Sequence, residues 1–189
     1  MLTGRPAELA AIIRTCAQME LAWKNKIQQS RADRKLFTGW MPFPIFEYAG
    51  LVLEALPEVN GNEFLEIGCG IGTKMLLTAE LIPELRVSGI ERNEEYAAAA
   101  RRLSLNVAIA DALNWNGYAG PDWIWFNRVF RDVAAQADLE AKVLAETKPG
   151  VVLMCANLET GPPRSWYPIL EDTDRRVWIV QKPFTGTGS

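Results

Sequence analysis

The chain has 189 residues, 20 lysines and arginines against 23 aspartates and glutamates, and no histidine. Apolar residues make up 49% of it, enough to bury a core without disulfides or a structural metal. A formal net charge of -3 argues against a surface that holds nucleic acid by charge alone, and the missing imidazole removes every histidine-dependent triad and the commonest metal ligand.

The three cysteines, Cys16, Cys69 and Cys155, lie far apart and show no metal-type spacing. No basic start followed by an apolar stretch marks a signal peptide, and no apolar run is long enough for a bilayer. The expectation is one soluble, cytoplasmic domain over residues 1–189 that uses no metal and contacts no membrane. Oligomeric state leaves no mark in the sequence.

Pro6 opens the first predicted helix, in which Leu9, Ile12, Ile13, Cys16, Met19, Trp23 and Ile27 recur at helical spacing. Its far end is basic, with Lys24, Lys26, Arg31, Arg34 and Lys35. An aromatic and proline-rich loop follows, and then a second amphipathic helix carrying Ile45, Phe46, Ala49, Leu53 and Leu56, which stops near Pro57. Residues 1–57 read as a helical cap or lid. From Glu63 the pattern becomes strict alternation. Strands are expected from Glu63 and over 85–90, 105–110, 122–129 and 151–156. Helices are expected over Thr73–Leu81, 94–103 and 134–147. Such alternation indicates a parallel sheet wrapped by helices. Segments 166–170 and 176–181, joined by a polar link, read as an antiparallel pair at the sheet edge. The predicted class is therefore α/β: a three-layer sandwich on a mostly parallel seven-stranded sheet with a C-terminal antiparallel hairpin and added N-terminal helices. The core spans 63–182, and 183–189 reads as a mobile tail.

The informative stretch is FLEIGCGIGTKML. A strand ends in Glu66-Ile67, glycines alternate at Gly68, Gly70 and Gly72, and a helix begins. Glycines let the backbone turn sharply and approach a ligand, and the helix N-terminus offers free N–H groups. A P-loop needs glycine directly before the lysine, but Thr73 precedes Lys74. A dinucleotide fingerprint needs a third glycine where Thr73 stands. What remains is acidic-x-G-x-G-x-G, followed by acidic residues at the ends of the next two strands, Glu91 and Asp111. As an alternative, each of these two acids is also suited to capping the turn that follows it.

In this loop and its acidic companions the chain resembles the class I S-adenosylmethionine-dependent methyltransferases, with a Rossmann-like core over roughly residues 63–181. The resemblance implies that S-adenosylmethionine binds and leaves as S-adenosylhomocysteine. It assigns the cofactor to Glu66, Gly68, Cys69, Gly70, Gly72, Glu91, Arg92, Asp111, Ala112 and Asn127. Glu91 would take the ribose hydroxyls, Asp111 the adenine amino group, and Glu66 the methionine end. Thr38 and Trp40, with Gly39 and Met41, would fold over that end from the lid; a hydrophobic plug is the competing reading.

The fourth strand ends WIWFNRVFRD, where enzymes that methylate base amino groups resemble one another in [DN]-P-P-[YFW]. Here Asn127-Arg128-Val129-Phe130 stands instead, without prolines, which speaks against that chemistry. Asn127 and Arg128 are the candidates at the reacting end, with Arg128 or Arg131 as a clamp for an anionic acceptor. Aromatics Trp115, Tyr118, Trp123, Trp125, Trp166 and Tyr167 are candidates to wall the pocket, or else belong to the core. The leading expectation is an enzyme that transfers methyl to a small molecule. Protein or RNA methylation guided by the basic helix, and a non-catalytic binding module, are the alternatives.

Overall fold

A computed structural model describes residues 6–29 and 43–184. Helix α1 (Pro6–Gln29) buries Ile13 and Cys16 and packs Leu9, Ile12 and Ala17 against the core, as its spacing predicts. Thr38, Gly39, Trp40, Met41, Arg31, Arg34, Lys35 and the extreme C-terminal tail fall outside the described residues.

Helix α2 (Ile45–Ala55) is present, but rotated from its predicted face. It buries Ile45, Tyr48, Ala49, Val52 and Ala55, while Phe46 and Leu53 face outward. The i, i+3, i+4 series through Tyr48 wins because that ring packs at 5.1 Å on Trp125 and its hydroxyl bonds Thr78 Oγ1 at 2.5 Å. A one-turn 3-10 segment at Leu56–Glu58 ends the helix at the proline.

The alternating core follows as β1 (Glu63–Ile67), α3 (Thr73–Leu81), β2 (Arg86–Glu91), α4 (Glu94–Arg102), β3 (Asn106–Ile109), β4 (Trp123–Asn127), α5 (Val133–Glu146) and β5 (Val152–Ala156). β6 (Tyr167–Asp172) and β7 (Val177–Gln181) close the sheet. Strand order is β3-β2-β1-β4-β5-β7-β6; β7 runs antiparallel to both neighbours and the other pairings are parallel. The expected α/β class is borne out.

The C-terminal pair is antiparallel as expected, and the chain inserts its last strand between the two before it. Chemistry dictates that order. β7, VWIVQ, is buried along nearly its whole length and suits a position with a strand on either side. β6, YPILED, is mostly exposed and contains Pro168, which lacks a donor and belongs on an edge.

Strand residues alternate between two cores. Phe64, Trp123, Trp125, Met154 and Ile179 face α1, α2 and α3. Leu65, Ile124, Phe126, Leu153 and Val180 face the other way and meet Leu139 and Val143 of α5. Trp123, Tyr118 and Trp166 are thus core residues rather than pocket walls, and Tyr167 is exposed. The sheet reverses its winding between β1 and β4, so the carboxyl ends of β1, β2, β3 and β4 open onto one crevice, where open α/β sheets place ligands.

Candidate functional site

The loop after β1 turns on three left-handed glycines, Gly68 (φ 71°), Gly70 (φ 56°) and Gly72 (φ 80°). Gly68 and Cys69 both donate their N–H to the Ile90 carbonyl, at 2.8 and 3.1 Å, which fastens the loop to β2. Gly70 N donates to Glu91 Oε2 at 2.9 Å. The three glycines differ in what they leave open. A Cβ on Gly70 would meet no heavy atom within 4 Å, whereas one on Gly72 would sit 2.5 Å from Leu105 Cδ1 and 3.0 Å from Ala100 Cβ. Gly70 therefore faces empty space, and Gly72 lets α3 approach α4.

The empty space is a cavity of about 370 Å³ over the ends of β1 to β4. Of the residues singled out from sequence, Glu66, Gly68, Cys69, Gly70, Glu91, Arg92, Asp111, Ala112, Asn127 and Arg128 line it. Gly72 does not line it; its role is in helix packing and in the left-handed N-cap of α3. Thr38 and Trp40 lie outside the described residues.

Each carboxylate is held differently. Glu66, at the end of β1, is only 4% exposed, and its Oε2 has no hydrogen-bond partner. Burial pushes its carboxyl up to about 8, against the opposing pull of Lys74. Below about pH 4.5 the group is protonated in both folded and unfolded chains. As pH rises, the unfolded chain loses that proton first, so stability falls until the folded carboxyl has also ionised, near 8. Glu66→Gln is expected to abolish this slope. Denaturant unfolding of the ligand-free protein between about pH 5 and about pH 9 checks it: the parent loses on the order of a few kcal/mol that the variant keeps. Parallel pH profiles for parent and variant would refute the assignment.

Glu91, at the end of β2, accepts from Gly70 N through Oε2 and from Asn93 N through Oε1 at 2.7 Å. Burial raises its carboxyl above the ordinary value, while the amides of Asn93, Gly70 and Arg92 pull it back. Asp111, two residues past β3, caps the 3-10 turn Ala112–Asn114: its Oδ1 accepts from Leu113 N at 3.0 Å. Its Oδ2 lies 3.6 Å from the exposed Arg92 guanidinium. The capping alternative thus describes one oxygen of this side chain, and the other pairs with Arg92 on a residue that lines the cavity.

The β4 exit forms the opposite wall. Arg128 takes a left-handed turn (φ 26°), and Asn157, beyond β5, takes another (φ 57°). Asn157 Nδ2 donates to Asn127 Oδ1 at 2.8 Å, tying the two strand ends together. The Arg128 guanidinium pairs with Glu159. Gln136 of α5 accepts from Phe130 N at 3.0 Å and donates to buried Glu140 at 2.9 Å; Glu140 also accepts from the backbone of Glu159 and Thr160.

Lining residues that sequence reasoning passed over include Glu20, Thr73, Lys74, Asn93, Tyr96 and Phe130. Tyr96 meets Trp23 of α1 edge to face at 5.5 Å. Lys74 and Thr73 were flagged only by what they ruled out. Glu20 sits on a helix 46 positions before Glu66, and a lone acid there reads as a solvated face. Among the pocket aromatics anticipated from sequence, Trp125 alone lines the cavity.

No family model matches the chain. A trans-aconitate 2-methyltransferase of Acidovorax sp. (strain JS42) is 32% identical over 94 residues, 49% of this chain and 36% of that protein. The match therefore spans about a third of the relative's own length. In structure, an O-methyltransferase family protein from Burkholderia thailandensis superposes with a TM-score of 0.57 at 13% identity, over 75% of this chain and 57% of that one. Human N-acetylserotonin methyltransferase, solved in complex with S-adenosylmethionine, gives 0.56 at 12% identity, over 74% and 52%. The chain has the Rossmann-like fold of these methyltransferases and is similar in sequence to a trans-aconitate 2-methyltransferase over about half its length.

Proposed function

We propose that this chain, built on the class I methyltransferase fold, is an S-adenosylmethionine-dependent methyltransferase acting on a small, carboxylate-bearing molecule. The observation that carries the reading is one cavity of about 370 Å³ onto which the glycine turn and three strand-end carboxylates, Glu66, Glu91 and Asp111, all open. The residues fit the cofactor. Gly70 leaves a cradle that a Cβ would fill, and Glu66 Oε2 is a buried carboxyl oxygen without a hydrogen-bond partner. A carboxylate offers about four lone-pair sites. Glu91 accepts Gly70 N and Asn93 N, one on each oxygen, with the Arg92 amide also acting on it, and its remaining lone-pair capacity is what this reading assigns to the vicinal ribose hydroxyls. Asp111 and Ala112 line the cavity side by side, and the Asp111 carboxylate is the acceptor this reading assigns to the adenine amino group.

When bound, S-adenosylmethionine supplies a sulfonium methyl that is already electrophilic and transfers by in-line displacement. The protein's work is alignment and exclusion of water. Asn127, held by Asn157, and Phe130, held by Gln136, form the wall an acceptor would meet. The relatives' name points to a carboxylate acceptor, and Arg128 at that wall is the cation to orient it. A carboxylate needs no general base, in keeping with a histidine-free chain. Of the basic stretch Lys24 to Lys35 on which a macromolecular substrate would depend, Arg31, Arg34 and Lys35 lie outside the described residues. No helix among the described residues is long and apolar enough to cross a membrane.

Calorimetric titration with S-adenosylhomocysteine and with NAD tests the cofactor, and transfer of labelled methyl from S-adenosylmethionine to trans-aconitate tests the acceptor class. Tight binding of the homocysteine compound with none of NAD is expected; the reverse overturns the reading.

A further inference from the structure

The cavity carries two charges that neither the glycine motif nor its acidic companions account for. Helix α1 lies outside the alternating core, yet it sends Glu20 to the cavity wall. Thr73 Oγ1 donates to Glu20 Oε1 at 2.8 Å, and Lys74 Nζ donates to the same oxygen at 2.9 Å. The two charged side chains are nearly sealed from solvent, at 9% for Lys74 and 12% for Glu20. Both bonds converge on one carboxylate oxygen, and the second takes neither. Lys74 carries three N–H donors, of which Glu20 uses one. Glu66, with its unpartnered Oε2, lines the same cavity one strand end away.

A buried ion pair is a weak way to hold a fold, because desolvation offsets the Coulomb attraction and an apolar pair of like volume does as well. Spare donors and acceptors worsen that balance unless something else uses them. A ligand group that satisfies an ammonium, a carboxylate and an orphaned carboxyl together must itself present an anion and a cation a few ångströms apart. An α-amino acid does so. The location agrees: with adenine over β3 and ribose over β2, the next stretch of ligand lies over β1, where Glu66 and Lys74 stand.

We infer that Glu20 and Lys74 are specificity residues for the amino-acid end of the cofactor, Lys74 receiving its α-carboxylate and Glu20, with Glu66, its α-ammonium. The inference rests on the proposed cofactor reading and makes α1 part of the binding site. It separates ligands that share adenosine and sulfur: S-adenosylhomocysteine carries the amino-acid group, and 5′-methylthioadenosine does not.

The test is calorimetric titration of the full chain with these two compounds. The parent is expected to prefer S-adenosylhomocysteine by about tenfold or more, as a charge-assisted contact at each end of the zwitterion supplies. Lys74→Met is expected to erase most of that preference while holding 5′-methylthioadenosine affinity within about twofold, so the smaller ligand reports in the same sample that the site is folded. Glu20→Gln keeps the shape and still accepts from Thr73 and Lys74; it should lose preference in the same direction. Equal binding of the two ligands by the parent overturns the inference, as does a proportional loss of both in each variant. A parent that binds neither compound overturns the cofactor reading beneath it.

Discussion

A Gly70→Val protein is expected to fold and to lose S-adenosylhomocysteine affinity by more than about a hundredfold, some 3 kcal/mol. The fold survives because a Cβ at this position meets no atom of the protein within 4 Å. What the substitution costs the free protein is backbone strain at φ 56°, roughly 1–2 kcal/mol for an L-residue and more for a branched one. The ligand, by contrast, meets two methyl groups where it needs contact with bare backbone. Gly72 provides the opposite case in the same loop. At φ 80° its Cβ would press on Leu105 and Ala100, so Gly72→Ala should lower the melting temperature while leaving affinity in the surviving folded fraction near the parent's. Thermal melts and titrations on the two variants separate the effects. A Gly70→Val protein that binds within about threefold of the parent removes Gly70 from the site.

That contrast shows where sequence reading reaches and where it stops. Spacing marks Gly68, Gly70 and Gly72 as one alternating set, and all three do adopt left-handed geometry. Only the packing of α4 against the loop tells which glycine faces a ligand and which faces a helix. The alternating elements were legible because each strand–helix unit carries its own local pattern: the helix over Thr73–Leu81 is as predicted, and β4 stops short of its predicted end because Arg128 turns left-handed. The face of α2 was misjudged for a related reason. Phe46 and Leu53 are as apolar as Tyr48 and Val52, and only the Trp125 ring and Thr78 hydroxyl on the sheet side decide between them. The order β5-β7-β6 is a non-local pairing that no segment announces alone, although Pro168 and the polar residues of β6 mark it as an edge once the topology is known.

The site divides along the same line. Glu66, Glu91 and Asp111 were legible because each stands at or just past the end of a strand that the hydrophobic pattern fixes. Glu20 was not, since its place depends on how α1 lies across α3, more than fifty residues away. Tryptophans misled as walls because a large apolar ring satisfies a core as well as a pocket: Trp123 and Trp125 sit two positions apart on one strand face, and the strand's carboxyl end exposes only the second to the cavity.

Glu91→Ala tests the ribose assignment and carries the second large effect. The carboxylate does two things at once: it receives Gly70 N and Asn93 N, and it leaves lone pairs toward the cavity. Removal strands the Gly70 amide at the glycine turn and the Asn93 amide at the start of α4, and withdraws a charged acceptor from the ligand's hydroxyls. Charge-assisted hydrogen bonds contribute about 1.5–3 kcal/mol each, and the turn loses part of its preorganisation, so affinity for S-adenosylhomocysteine should fall by about 2–4 kcal/mol, roughly 30- to 1000-fold. The pH dependence gives an independent signature. Burial lifts the Glu91 carboxyl above its ordinary value, so acidification protonates it sooner than an exposed glutamate and turns an acceptor into a donor. Parent affinity should therefore weaken as pH falls through that raised range, and Glu91→Ala should lack that component of the acid-side loss. A variant that binds as tightly as the parent, or that keeps the parent's full acid-side profile, assigns the ribose to another group.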